Sequence, residues 1–189
     1  MATQKGIENW KAKKWFTVYA PKVFGDMAIG EMPGKDEKAV MGRNIVISMD
    51  SLTHNPQNAN VNLVLKVSGV EGDKAVTKLV TLELLFSFIR TLVRRYKSVS
   101  MAVVRERSKD GVEVAVKPLI VTIQRSTASR LDGIRAEMVE FLKGYVKEND
   151  AESIVKAVVE GQLQQEMHSK LMHIAPISKA EVRKLELGW

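Results

Sequence analysis

The sequence has no cysteine, which removes disulfides, thiolate nucleophiles and cysteine-ligated zinc and fits a reducing cytoplasm. Nowhere do about 18 apolar residues run together, the length a helix needs to cross a bilayer, so no membrane association is expected. The opening MATQKGIENWKAKK lacks the apolar centre of a secretory signal. Histidine is scarce, and His168 and His173 are five apart, a spacing that does not set a zinc pair on one helix face. They read as helix-surface or helix-end residues. The patterns GxGxxG, GxxxxGK(S/T) and GxSxG are all missing. Carboxylates are plentiful, but none stand at a spacing that marks a shared pocket; only the fold could assemble a dyad. No enzyme, cofactor, metal or small-molecule substrate is expected.

One further absence is local. FIRTLVRRYKS, Phe88 to Ser98, holds four cations, Arg90, Arg94, Arg95 and Lys97, and no acid. The nearest carboxylates in sequence are Glu83 and Glu106.

What is present reads as globular: 189 residues, 45% hydrophobic and 27% charged, enough to bury a core without staples. The net charge of +7 is unevenly placed. Residues 85–135 carry 11 Lys and Arg against 4 Asp and Glu, while 1–84 are +2 and 136–189 are −2. A localised basic surface is the footprint of a polyanion partner, because neutralised phosphates release counterions. The alternative, general solubility, does not require segregation.

Along the chain, residues 1–14 are expected to form a basic arm. A single domain follows over 15–189, with a strand core over 15–125, a helical block over 126–173 and a final strand over 176–187. WFTVYAP reads as a strand ended by proline, and 22–42 as an irregular loop with a short strand near Asp26 to Glu31. RNIVISM is a strand and DSLT a turn or single helical turn, followed by a loop from His54 to Asn60. NVNLVLKVSGV alternates, with Val61, Leu63, Leu65 and Val67 on one face, and GVEGDK turns it back into KAVTKLVTLEL. From Glu83 to Lys97 the period changes to helical, with Leu85, Ile89, Leu92, Val93 and Tyr96 on one face. VSMAVVRER and VEVAVKPLIVTIQR flank an Asp110-Gly111 hairpin turn.

Ser126 or Thr127 can cap a helix carrying Ile134, Met138, Phe141, Leu142 and Tyr145. Asp150 starts another, which Gly161 interrupts before a short helix through Met172, and ISKAEVRKLELGW returns to strand. The fold class expected is α+β: a mainly antiparallel twisted sheet or partial β-barrel with helices packed on it.

The basic residues make an ordered set. On the expected helix, Arg90, Arg94 and Lys97 fall within about 60° of one another, and Arg95 projects elsewhere. Arg105, Arg107 and Lys109 share the parity of one strand face; Lys117 and Arg125 lie on the returning strand, and Arg130 and Arg135 open the helical block. Arginine outnumbers lysine in 85–135 by 8 to 3, which favours bidentate phosphate contact and base stacking. Lys11, Lys13 and Lys14 beside Trp10, Trp15 and Phe16 interleave cations with aromatics, which suits RNA backbone and bases. Trp15 serves equally well as core. For any one cation, pairing with a carboxylate brought close by the fold is the competing explanation.

The segments KKWFTVYAP and GRNIVISMDSLT, the alternating strand, RTLVRRYKS and the hairpin leading into a helical block occur in one unbroken order. In that order, and in the spacing G-R-x-x-x-x-S-x-x-x-L of Gly42 to Leu52, the chain resembles the ribosomal S3Ae family of the archaeal and eukaryotic small subunit. The resemblance implies an α+β protein without catalytic activity, sited in the cytoplasmic ribosome. There it would lie on the platform of the small subunit near the messenger exit and the 3′ end of the small-subunit RNA. The partners it implies are ribosomal RNA, neighbouring ribosomal proteins and messenger near the exit. The chain is closer to the archaeal form, without the long basic extensions of the eukaryotic one. The family has no short signature from which RNA contacts can be carried over, so the candidate residues rest on charge placement. Two other readings stand beside it: a protein-interaction module using the acidic stretch 136–173, and a substoichiometric RNA-binding translation factor.

Overall fold

The computed structural model describes residues 13–53 and 55–188, which divide into two compact units. The expected arm lies outside the described residues except for Lys13 and Lys14, and His54 lies outside them too. The fold class is α+β. The strands pair mainly antiparallel, and they do not close into a barrel.

The first unit comprises the described residues up to 59 together with 63–80. Strand β1 (Lys14–Tyr19) is antiparallel to β2 (Ala28–Gly34). It also pairs parallel with the start of β5 (Lys74–Leu84), setting Thr17 opposite Lys74 and Tyr19 opposite Val76. β3 (Asn44–Ser48) pairs with β4 (Val61–Glu71), and β4 with β5. Alternation in β4 buries Leu63, Leu65 and Val67, the face expected from the sequence. Two one-turn helices, α1 (Glu37–Val40) and α2 (Asp50–Thr53), deliver Val40 and Leu52 to the interior. Phe16, Val18, Val40, Val67 and Ala75 form one cluster. Pro33 sits on β2, where a missing N–H is tolerated at a sheet edge, and its carbonyl accepts from Arg43 Nη1 at 2.9 Å.

In the second unit β8 (Glu113–Thr122) is central, and every residue from Val114 to Thr122 is buried except Lys117. It is antiparallel to β9 (Ile177–Gly188), which pairs in turn with Thr81–Glu83 of β5. On its other side β8 pairs with β6 (Val99–Met101) and β7 (Val104–Arg107). The expected single strand through VSMAVVRER is thus two. Pro118 supplies the reason: it cannot donate to a ladder, and the register with β9 slips between Lys117 and Pro118 while neither β6 nor β7 pairs with these two residues. The helices are α3 (Phe86–Leu92), α4 (Ala128–Glu148), α5 (Ala151–Glu160) and α6 (Gln162–Leu171). α4 packs on β6 and β7, and α6 on β9. Ile134, Met138, Leu142 and Val146 of α4 face inward at intervals of four residues. Gly161 joins α5 to α6 at φ +81°, a left-handed position that glycine takes without strain.

The helix expected over Glu83 to Lys97 is only the two turns of α3. Val93 leaves the helix in an extended conformation, and the chain must then reach β6, whose Val99 is fixed opposite Val121. Sheet pairing overrides the helical period here. Arg94 and Lys97 therefore do not extend the helical stripe from Arg90, and Tyr96 is 75% exposed instead of lying on a buried face.

Candidate nucleic-acid interface

The turn between α3 and β6 is built from its buried side outward. Thr122 is fully buried; its backbone N–H donates to Ser98 O at 2.9 Å, and its hydroxyl accepts from Ser98 N–H at 3.0 Å and donates to Gln124 O at 2.6 Å. Ser98 Oγ accepts in turn from the backbone N–H of Ser126 at 3.0 Å. These bonds lock residues 98 and 122–126 side by side. The turn over 94–97 is thereby held next to Arg125, whose guanidinium lies 5.8 Å from the centre of the Tyr96 ring. Lys97 Nζ donates to Ser178 Oγ at 3.0 Å, and Arg94 Nε to Thr91 O at 3.1 Å, while Arg95 is exposed. Arg90, on α3, stacks at 4.6 Å over the exposed ring of Phe86.

Arg105 and Arg107 project together from β7 with Glu106 between them on the other side, and Glu106 is met by Lys147 at 3.9 Å. Lys109 lies in the turn that Gly111 completes at φ +78°. Arg130 is exposed in the first turn of α4. Two candidates are already neutralised within the fold. Lys117 Nζ lies 2.8 Å from Glu186, and Arg135 lies 3.1 Å from Asp132 and donates to Met101 O. Lys13 and Lys14, in the first unit, directly precede Trp15, whose exposure makes it surface and not core. Lys11 lies outside the described residues.

Among the described residues no carboxylate pairs with Arg90, Arg94, Arg95, Lys97, Arg105, Arg107, Lys109, Arg125 or Arg130. Nine cations of the second unit are therefore without a carboxylate partner among the described residues. Sequence reasoning placed Tyr96 on a buried helix face and passed over Lys179 and Arg183, both exposed on β9. The alternation of SKAEVRK would have put those two on one strand face.

The acidic stretch behaves differently. α4 and α6 line an open groove of about 610 Å³ that holds Glu137, Glu140, Glu148 and Glu166 around Phe141 and Tyr145. The two rings lie 5.9 Å apart, and Lys170 Nζ sits 4.3 Å over Phe141. Burial, and then the charge of Glu166, push the Tyr145 phenol above its ordinary value.

Residues 1–188 match the Ribosomal S3Ae family. The chain belongs to that family. It is 34% identical over 188 residues to small ribosomal subunit protein eS1 of Sulfurisphaera tokodaii, covering 99% of this chain and 97% of the relative. It is 33% identical over 181 residues to the eS1 protein of Sulfolobus acidocaldarius, covering 95% and 92%. Against the eS1 protein of Methanococcus vannielii it is 31% identical over 180 residues, covering 95% and 82%. Membership of S3Ae runs through both units, so the basic turn and the acidic groove both lie on family sequence.

Proposed function

We propose that this chain is a structural constituent of the small ribosomal subunit that binds ribosomal RNA through the basic surface of its second unit. The observation that carries the reading is the set of nine cations without a carboxylate partner, held on turns, a strand and two helices, in a member of a ribosomal family. Arginine forks held by the fold grip phosphates with less ordering cost than free side chains. Arg90, Arg94, Arg95, Lys97, Arg105, Arg107, Lys109, Arg125 and Arg130 are the phosphate contacts, with Lys13 and Lys14 as an anchor on the first unit. Lys117 and Arg135 contribute less, because each must first give up a carboxylate. The acidic groove of α4 and α6 repels RNA and is the side offered to neighbouring ribosomal proteins. A place on the platform near the messenger exit follows from the family resemblance. No chemistry is assigned to the chain.

Sedimentation of cell lysate through sucrose at low and high salt tests the reading. Co-migration with the small subunit that survives high salt is expected. Release by salt, or a position at the top of the gradient, would mean a peripheral factor. The double reversal Arg90→Glu with Arg94→Glu is expected to reduce incorporation; unchanged occupancy of the subunit would overturn the RNA-binding assignment.

A further inference from the structure

Tyr96 is held in an unusual way. Its φ of +66° lies in the left-handed region, which a bulky side chain seldom enters; among the described residues the only other non-glycine with positive φ is Asp26. The ring is nevertheless 75% exposed, so no burial of the side chain rewards that conformation. What fixes it lies behind it: the buried Thr122–Ser98–Ser126 bonds and the Lys97–Ser178 contact pin the following residues. The guanidinium of Arg125 sits over the ring at 5.8 Å, steadying it and leaving most of its surface open. An unfavourable backbone that displays an aromatic side chain to solvent points to a role for that side chain outside the fold.

We propose that Tyr96, backed by Arg125, is a stacking platform for one unpaired base of single-stranded RNA, with Arg94 and Arg95 meeting the flanking phosphates. This rests on the RNA-binding reading above and names its chemistry. Phosphate neutralisation alone needs no aromatic ring, and the cations around Tyr96 already supply it. A ring in the midst of arginines adds what cations lack: a flat apolar face that any base can cover. Such a face is useful only for a base that is not stacked in a duplex, as in a loop, bulge or strand end. A protein partner is the weaker fit, because the Phe88–Ser98 segment holds four cations and no acid.

The test uses the full-length chain and two probes: a single-stranded RNA oligonucleotide carrying 2-aminopurine, whose fluorescence falls on stacking, and a duplex of equal length. Wild type and Tyr96→Phe are expected to quench the fluorophore. Tyr96→Ala is expected to lose the quench and bind the single strand roughly tenfold more weakly, with the duplex unaffected. Its affinity should keep the wild-type salt slope, since no phosphate contact is removed, whereas Arg94→Glu with Arg95→Glu should flatten that slope.

Tyr96→Gly separates function from folding. Glycine accepts the left-handed backbone, so this variant should melt no lower than wild type and still lose the quench. If Tyr96→Ala and Tyr96→Gly bind and quench like wild type while the arginine reversal weakens binding, the stacking platform is wrong and the RNA reading stands. If wild type binds neither probe, the RNA reading falls and takes the platform with it, leaving Tyr96 to a protein contact.

Discussion

The hydroxyl of Thr122 accepts the backbone N–H of Ser98 at 3.0 Å, across 24 residues of sequence and at a position with no solvent exposure. That bond connects the end of β8 to the turn that carries Arg94, Arg95, Tyr96 and Lys97. Thr122→Val keeps the shape but removes the acceptor, leaving a buried N–H without a partner. A loss of about 1–3 kcal/mol in stability is expected, as for other buried groups left unsatisfied. Thr122→Ser should recover most of it. Urea unfolding measures the loss, and faster amide exchange at Ser98 and Ser126 would localise it.

Lys117 and Glu186 give the second prediction. The hydrogen bond from Lys117, helped by Lys184, holds the Glu186 carboxyl below its ordinary value against the opposing effect of burial. A carboxyl lowered in the folded state stabilises above its unfolded pKa of about 4.3 and loses that contribution as pH falls through the folded value. Lys117→Gln should therefore make the acid limb of the stability profile shallower. The effect stays under about 1 kcal/mol, because both side chains keep substantial solvent contact. Chemical denaturation from pH 7 downward reads it. A limb as steep as wild type would mean that Lys184 holds Glu186 alone.

Glu181 carries the opposite sign. Burial raises its carboxyl above the usual range, partly countered by Lys179. A raised carboxyl costs stability once pH passes the unfolded value, because the unfolded chain releases its proton first. Glu181→Gln is expected to raise the melting temperature at pH 7. The gain should vanish below the unfolded carboxylate range, where both forms are neutral. A gain that persists at low pH would point to packing instead of charge.

In the first unit, Gly34 lies under Val40 and Phe16, and a Cβ there would collide with Val40 Cγ2 and approach Phe16 Cε2 to 3.1 Å. Val40 is fully buried and cannot swing into solvent. Gly34→Ala should cost about 1–3 kcal/mol by overpacking, measured by thermal unfolding. Gly34→Ala with Val40→Ala should recover part of the loss by making room. Absence of any recovery would place the strain in the backbone of β2.

The sequence by itself determined whatever depends on local period and turn chemistry. Alternation in NVNLVLKV set the buried face of β4, spacing at three and four residues put Ile134, Met138 and Leu142 on the buried face of α4 but also Phe141 and Tyr145, which are only half-buried, and Asp110-Gly111 and Gly161 marked breaks where glycine takes a left-handed backbone. It also located the charge surplus, because the excess of cations in 85–135 is a property of composition. The tertiary structure alone decided which cations remain available. Glu186 and Asp132 take Lys117 and Arg135, and only pairing across β8 and β9 brings Lys117 and Glu186, 69 residues apart, to 2.8 Å. It also decided the fate of Tyr96. Helical period placed that ring inside, but β6 must register with β8, and the buried bonds at Thr122 turn the chain before a third helical turn can form. A periodic pattern records which face a residue would occupy if its element continued. Whether the element continues is decided by hydrogen bonds to strands that are distant in sequence and close in space.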